Sequence, residues 1–318
     1  MSFDVVTIGE AMLRLSVPAG VRLEETEKLD LHVAGAEANT AIALAQLGRN
    51  VAWISGLPRS PLGRRVSREL RANGVDISHV QWVDGKRIGV YFVELASPPR
   101  PVSVVYDRAG SAAATMAADD LPDDVIASAK VVHLSGITPA LSESCRLLSL
   151  EAAERARKGP AFLTVDINYR AKLWSPEDAR SCLTDLARGA DVVVVTREDA
   201  TDVFGVGGDP ADMVTRLRKI LEAGYVVLTL GDEGSVWDSD QDTGSEPAIP
   251  TVIVDRLGAG DAFMAGVIDG LLADDLVQGV KTGTVLASLA LGTDGDHVIT
   301  TREEVDRIIA GGGRAVDR

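Results

Sequence analysis

Lys130 to Leu134, Ala161 to Val165, Asp191 to Val195 and Tyr225 to Leu230 are short runs, apolar at nearly every position, with helical stretches between them. A strand without polar alternation must be covered on both faces. Asp4 to Ile8 and Val51 to Ser55 repeat the pattern. Between them lies the alanine-rich, helical Ala36 to Leu47, and Ser60-Pro61 opens the next helix. Strand and helix in alternation build a parallel sheet between helical layers. Further helices start at Ser175-Pro176-Glu177-Asp178 and at the capping box Thr301 to Glu304, and the last third reads helical over about 259–273, 276–291 and 301–310. The chain has 318 residues, which allows one large α/β domain with an appendage or two modest domains.

Two stretches break this rhythm. One is 11–34, where Met12 to Leu15 and Leu29 to Val33 are short and semi-alternating. The other is 79–106, with strand signals at His79 to Val83, Ile88 to Leu95 and Val102 to Tyr106, separated by Asp84-Gly85 and Pro98-Pro99. They suggest a small second sheet attached to the core.

Acidic residues number 47 against 32 basic ones, a formal charge of −15. No Lys/Arg run supplies the local basic field that a nucleic acid or an anionic membrane would need. An anionic small molecule needs only an arginine or two and some backbone N–H groups. No apolar run reaches membrane-spanning length, Met1 to Asp4 does not read as a signal peptide, and Cys145 and Cys182 read as reduced buried thiols, so a cytoplasmic location is expected. Asp238 to Asp242 lacks the glycine and final glutamate of a calcium loop, the four histidines have no ligand spacing, and there is no Walker loop.

The segment Val252 to Gly266 carries the chemistry. A β-rich run ends at Asp255, then Gly258-Ala259-Gly260 opens a helix with Asp261 in its first turn. Consecutive N–H groups at such a turn can cradle anionic oxygens. From the residues alone, Asp261 is either a charge complementing the helix terminus or the base of a phosphoryl-transfer site.

The arrangement resembles the ribokinase-like (PfkB) carbohydrate kinases over nearly the whole chain. Gly35-Ala36-Glu37-Ala38-Asn39 with Ala43, Gln46, Leu47 and Gly48 resembles their N-terminal signature, and Gly258 to Phe263 their C-terminal one. The resemblance implies a Rossmann-type three-layer core made of 1–10, 35–85 and 110–318, and a small β lid made of 11–34 and 86–109. It implies ATP and Mg²⁺, allows a structural monovalent cation, and suggests a homo-oligomer formed through the lid. Asp261 would be the general base, with Gly258, Ala259 and Gly260 completing the anion hole.

Within the family, Tyr91 in GVYFVE, Tyr106-Asp107-Arg108 and Asp166 to Arg170 with Leu173-Trp174 are most similar to 2-keto-3-deoxygluconate kinases. That likeness implies phosphorylation of the C6 hydroxyl of 2-keto-3-deoxy-D-gluconate. Arg108 and Arg170 would grip the sugar acid, beside Tyr91, Tyr106, Gly35 and Asn39. Without it, the two arginines read as solvent-facing salt bridges. Asn168, Gly231 and Gly234 would line the nucleotide, with the base held by helices after Gly266. Asp199 would organise the metal through water. Two departures stand out: Arg256-Leu257 before the turn, which also resembles 5-keto-2-deoxygluconate kinases, and Thr196 with Asp199 where the family has Asn and Glu. Fructokinase is a further alternative. A non-catalytic sugar-binding regulator of the same fold is the rival from another class.

Overall fold

The computed structural model describes residues 2–18, 20–95 and 100–311. The Pro98-Pro99 turn signal and residues 312–318 lie outside them. The strands are β1 (Val5–Ile8), β2 (Met12–Ser16), β3 (Asp30–Ala34), β4 (Val51–Ile54), β5 (Gly56–Pro58), β6 (Gln81–Val83), β7 (Gly89–Glu94), β8 (Ser103–Asp107), β9 (Val131–Ser135), β10 (Phe162–Asp166), β11 (Val192–Thr196), β12 (Tyr225–Thr229), β13 (Ser235–Ser239) and β14 (Thr243–Glu246). The helices are α1 (Ala36–Gln46), α2 (Pro61–Ala72), α3 (Asp123–Ser128), α4 (Glu143–Lys158), α5 (Pro176–Ala187), α6 (Arg197–Asp202), α7 (Pro210–Leu221), α8 (Ala259–Leu272), α9 (Leu276–Leu291) and α10 (Arg302–Ile309).

The core sheet runs β14-β13-β12-β11-β10-β9-β1-β4, parallel from β12 to β4 and antiparallel where β13 and β14 extend it. Its strands are apolar throughout because both faces are covered. In β11, Val193 and Val195 join a core with Leu148 of α4, Leu183 of α5 and Leu217 of α7. Val192 and Val194 join the opposite core with Leu44 of α1, Phe263 of α8 and Leu286 of α9. The helix starts read from sequence hold: Ser60, Ser175 and Thr301 each accept a first-turn N–H.

Segments 11–34 and 86–109 supply a four-stranded sheet in the order β3-β2-β7-β8, as the fold class anticipates. It has its own cluster of Met12, Ala34, Tyr91 and Val93, against which Leu257 packs from the core, so the departure at that position has a contact to fill. The His79 to Val83 signal narrows to β6, which pairs with β5 and not with this sheet.

The Val252 to Val254 run is a correction. It forms no strand and is largely exposed, Val252 at 85%. β-branched side chains favour a pleated, half-buried surface, and here no neighbouring strand offers one. The β13–β14 hairpin has no strand signal in the sequence, because its residues are mostly small or polar.

Two features fix the geometry of the site. Glu10, Asp166, Asp199 and Gly231 all lie at or just beyond the carboxyl ends of parallel strands, where open α/β sheets bind ligands. Helix α8 is anchored backbone to backbone on α9: a Cβ on Gly266 would lie 2.1 Å from the Gly283 nitrogen. Among the described residues, no helix is long and apolar enough to cross a membrane.

Candidate active site

Gly258 precedes α8 with φ 81°, and a Cβ there would fall 1.6 Å from the Asp296 carbonyl oxygen. Only glycine fits both the conformation and the contact. The first helical bond runs from Ala262 N–H to the Gly258 carbonyl. The N–H groups of Ala259, Gly260 and Asp261 precede it and make no hydrogen bond among the described residues. Gly260 is exposed, with open space where its side chain would be. A helix terminus so arranged suits anionic oxygens.

Asp261 is buried in that first turn. Its Oδ2 accepts from the Asn39 amide at 2.7 Å, and its carbonyl accepts from Thr40 Oγ1 at 3.2 Å. Both signatures therefore meet at one carboxylate. Burial pushes its pKa up to about 6, against the Asn39 hydrogen bond and the Arg170 charge, with Asp296 and Glu37 adding to the rise. At neutral pH it is ionised, with a basicity suited to taking a proton.

A second group of carboxylates lies near it. Asp166 is pushed up to about 8, first by burial and then by Asp261 and Asp199. Asn168, at the unusual φ of 37°, donates to it at 2.9 Å. Burial lifts Asp199 to about 6, and it accepts from Tyr169 N–H at 3.2 Å. Thr196 caps α6 by accepting from Asp199 N–H at 3.0 Å, so the substituted Thr still holds the carboxylate in place. Glu198 is exposed. Among the described residues no three ligating side chains form a metal cage. A crowd of buried acids is a place where a cation gains free energy.

The residues expected around the sugar have different situations. Gly35 is required by packing, since its Cβ would meet the Glu10 carbonyl at 2.2 Å. Tyr91 is buried and donates its hydroxyl to Asp296 Oδ2. Its ring packs on Tyr106 at 5.7 Å. Arg108 is already paired: its Nε and Nη2 both donate to buried Glu10, the first at 2.8 Å, and Ser111 donates to the other Glu10 oxygen. Arg170 is exposed, its side chain makes no hydrogen bond or ion pair among the described residues, and its charge lowers the pKa of Asp166, Asp199 and Asp261. Lys172 is an addition. It lies 5.9 Å from the Tyr106 ring centre, on which Arg108 also packs, and donates to the Val104 carbonyl of β8 at 2.6 Å.

Of the two glycines expected to line the nucleotide, Gly231 follows β12 with φ 65° and nothing near its Cβ position. Gly234 is needed for packing instead, since a Cβ would strike the Glu246 carbonyl at 2.1 Å.

Sequence reasoning missed a buried ionic cluster beside the glycine turn. Arg14 of β2 is fully buried and reaches Asp255 Oδ2 at 2.5 Å and Asp296 Oδ1 at 2.6 Å. Asp255 also accepts from Leu257 N–H at 3.1 Å and Gly295 N–H at 3.4 Å. A lone arginine inside the apolar run Met12 to Leu15 was the available signal. Glu37 was passed over within its motif. It is buried, accepts from Ser135 and Thr138 at 2.7 Å each, and is pushed upward by burial.

A family model described as pfkB family carbohydrate kinase matches residues 2–301. The chain is 39% identical to a 2-dehydro-3-deoxygalactonokinase of Haloferax volcanii, over 100% of both chains. It is 32% identical to a 2-dehydro-3-deoxygluconokinase of Thermoproteus tenax, over 92% of this chain and 90% of the relative. The crystal structure of a 2-dehydro-3-deoxygluconokinase from Thermotoga maritima superposes with a TM-score of 0.91 at 31% identity, over 97% of this chain and 100% of that one. ("2-Dehydro" and "2-keto" name the same carbonyl.) With both signatures meeting at Asp261 on this fold, the chain belongs to the pfkB family of ATP-dependent carbohydrate kinases.

Proposed function

We propose that the chain transfers the γ-phosphoryl group of ATP to the C6 hydroxyl of a 2-keto-3-deoxyhexonate, giving the 6-phosphate and ADP. The buried Asp261 carboxylate, set in the same turn as the free N–H groups of Ala259 and Gly260, carries this reading. Asp261 accepts the hydroxyl proton as the new O–P bond forms and the bond to the ADP oxygen breaks. The N–H groups stabilise the charge on the moving phosphoryl oxygens.

Asp166 and Asp199 fit a nucleotide-bound Mg²⁺, held through water and phosphate, because each is a buried acid near Asp261 whose pKa burial raises, and a nearby cation would favour its ionised form. Such an ion neutralises phosphate charge. Asn168 and Gly231 line the phosphates, and the base lies against helices after Gly266. A monovalent cation beside the turn would have to compete with Arg14, whose guanidinium already contacts both Asp255 and Asp296 there.

The acid end of the substrate is recognised chiefly by Arg170, whose guanidinium forms no hydrogen bond or ion pair among the described residues. Arg108 and Lys172, both against the Tyr106 ring, contribute from the small sheet and beside it. A carboxylate suits guanidinium donors. The small sheet acts as a lid, excluding water that would otherwise hydrolyse ATP. Its edge strands β3 and β8 offer a pairing surface for a second subunit. The gluconate epimer is the substrate expected from the Tyr106 to Arg108 and Asp166 to Arg170 motifs. Full-length likeness at 39% to a galactonate-epimer kinase favours the other epimer as a second reading.

ADP release measured with both 2-keto-3-deoxy epimers, 5-keto-2-deoxygluconate, fructose and ribose tests the proposal. One of the first two should give the highest kcat/KM, with phosphate at C6 by ³¹P NMR. Preference for fructose, or sugar binding without ADP release, would overturn it.

A further inference from the structure

Arg14 lies on the small sheet, yet its partners belong to the loops that shape the glycine turn. Asp255 stands three residues before Gly258 and binds the backbone N–H groups of Leu257 and Gly295. Asp296 presents the carbonyl oxygen against which Gly258 is packed with no room for a Cβ. The arginine bridges both carboxylates, and Asp294 stands 3.8 Å away at the edge of the same cluster. Tyr91, from the neighbouring strand β7, holds the second oxygen of Asp296. Two core-facing side chains of the small sheet therefore grip both loops around the anion hole.

The guanidinium is committed there. Its Nε is buried without an acceptor among the described residues, so the contacts with the two carboxylates, including the Nη1 hydrogen bond to Asp296, are what compensate its burial. Without Arg14, Asp255 and Asp296 would face each other unneutralised, and relief of that repulsion would move the Asp296 carbonyl off Gly258. The N–H groups of Ala259 and Gly260 would shift with it.

We infer that Arg14 is a positioning residue for phosphoryl transfer: a built-in cation that ties the small sheet to the Asp255 and Asp296 loops and so sets the aim of the anion hole. The inference rests on the glycine turn and Asp261 being the transfer site. It predicts a defect in kcat rather than in nucleotide affinity, because the hole acts on charge that develops during transfer.

Steady-state kinetics of the full chain provides the test, with D261N alongside. Arg14→Ala, folded by near-ultraviolet circular dichroism, should lose about 10²-fold in kcat, the scale of a 1 Å misplacement. Its KM for ATP should stay within about threefold, as expected when only transition-state interactions are lost. Millimolar methylguanidinium should restore part of the kcat of R14A, because it can re-enter between the two carboxylates, and should leave D261N unchanged. Arg14→Lys keeps the charge but offers no planar fork to span both acids, and should lose about tenfold in kcat. The inference is overturned by wild-type kcat in R14K, by a folded R14A within about threefold of wild type, or by a folded R14A that methylguanidinium does not restore. If R14A does not fold, R14K decides. An active D261N would remove the reading of the turn itself, whatever Arg14 does.

Discussion

Asn39 in α1 donates its amide to the Asp261 carboxylate in α8 at 2.7 Å, joining residues 222 positions apart. This bond favours the ionised form and partly offsets the burial that holds Asp261 near 6. The acid limb of kcat/KM in the wild type should therefore be centred near pH 6. Asn39→Ala removes the donor, so the Asp261 pKa should rise and the limb move to higher pH. An unmoved or lowered limb in N39A would disprove control of the base by Asn39.

Asp166 titrates at about 8 in the fold, against 3.8 as its ordinary value. A carboxyl raised by folding binds its proton more tightly in the native state, so stability falls as pH rises from about 4 through about 8. Asp166→Asn is neutral throughout. Without ligands, it should melt higher than the wild type at pH 8, by about 2–4 °C per kcal/mol relieved. The difference should fade towards pH 4. Calorimetry showing D166N less stable at pH 8 would contradict the assigned strain.

Arg170 and Arg108 should behave differently. Arg170→Ala should lower kcat/KM for the sugar acid by about 10–100-fold, the range for losing a charged hydrogen bond, and lower any fructose activity by less, through the rise in the Asp261 pKa alone. Arg108→Ala should first cost stability, about 3 kcal/mol, because it strands a buried Glu10 charge. Adding Glu10→Gln to R108A should recover much of that loss in denaturant melts. If R108A keeps full stability, the Glu10 pairing is not what holds Arg108.

Val105 is 52% exposed on the edge strand β8. If subunits pair through the small sheet, light scattering should show an oligomer for the wild type and a smaller species for Val105→Glu. A wild-type monomer at micromolar concentration would rule the pairing out.

The core sheet was legible because its strands are buried on both faces and so lack alternation, as in Val192 to Val195. The turn at Gly258 was legible because one conformation and one contact both demand glycine. Asp261 and Asn39 were found through their motifs, not through their spacing. The Arg14 cluster was not legible, since Arg14 and Asp296 are 282 residues apart and only the folded chain brings them together. Val252 to Val254 misled for the opposite reason: its composition suits a strand, but no partner strand is beside it. Arg108 read from its residues as a solvent-facing salt bridge, and the buried pairing with Glu10 was not legible because Glu10 follows a different strand, 98 residues away.

The most direct test is the kcat of Asp261→Asn with saturating ATP, Mg²⁺ and the preferred 2-keto-3-deoxy acid. The substitution keeps size and removes the base. A fall of at least about 10²-fold, with ATP still bound, is expected for loss of a general base. A kcat near that of the wild type would contradict the role assigned to Asp261.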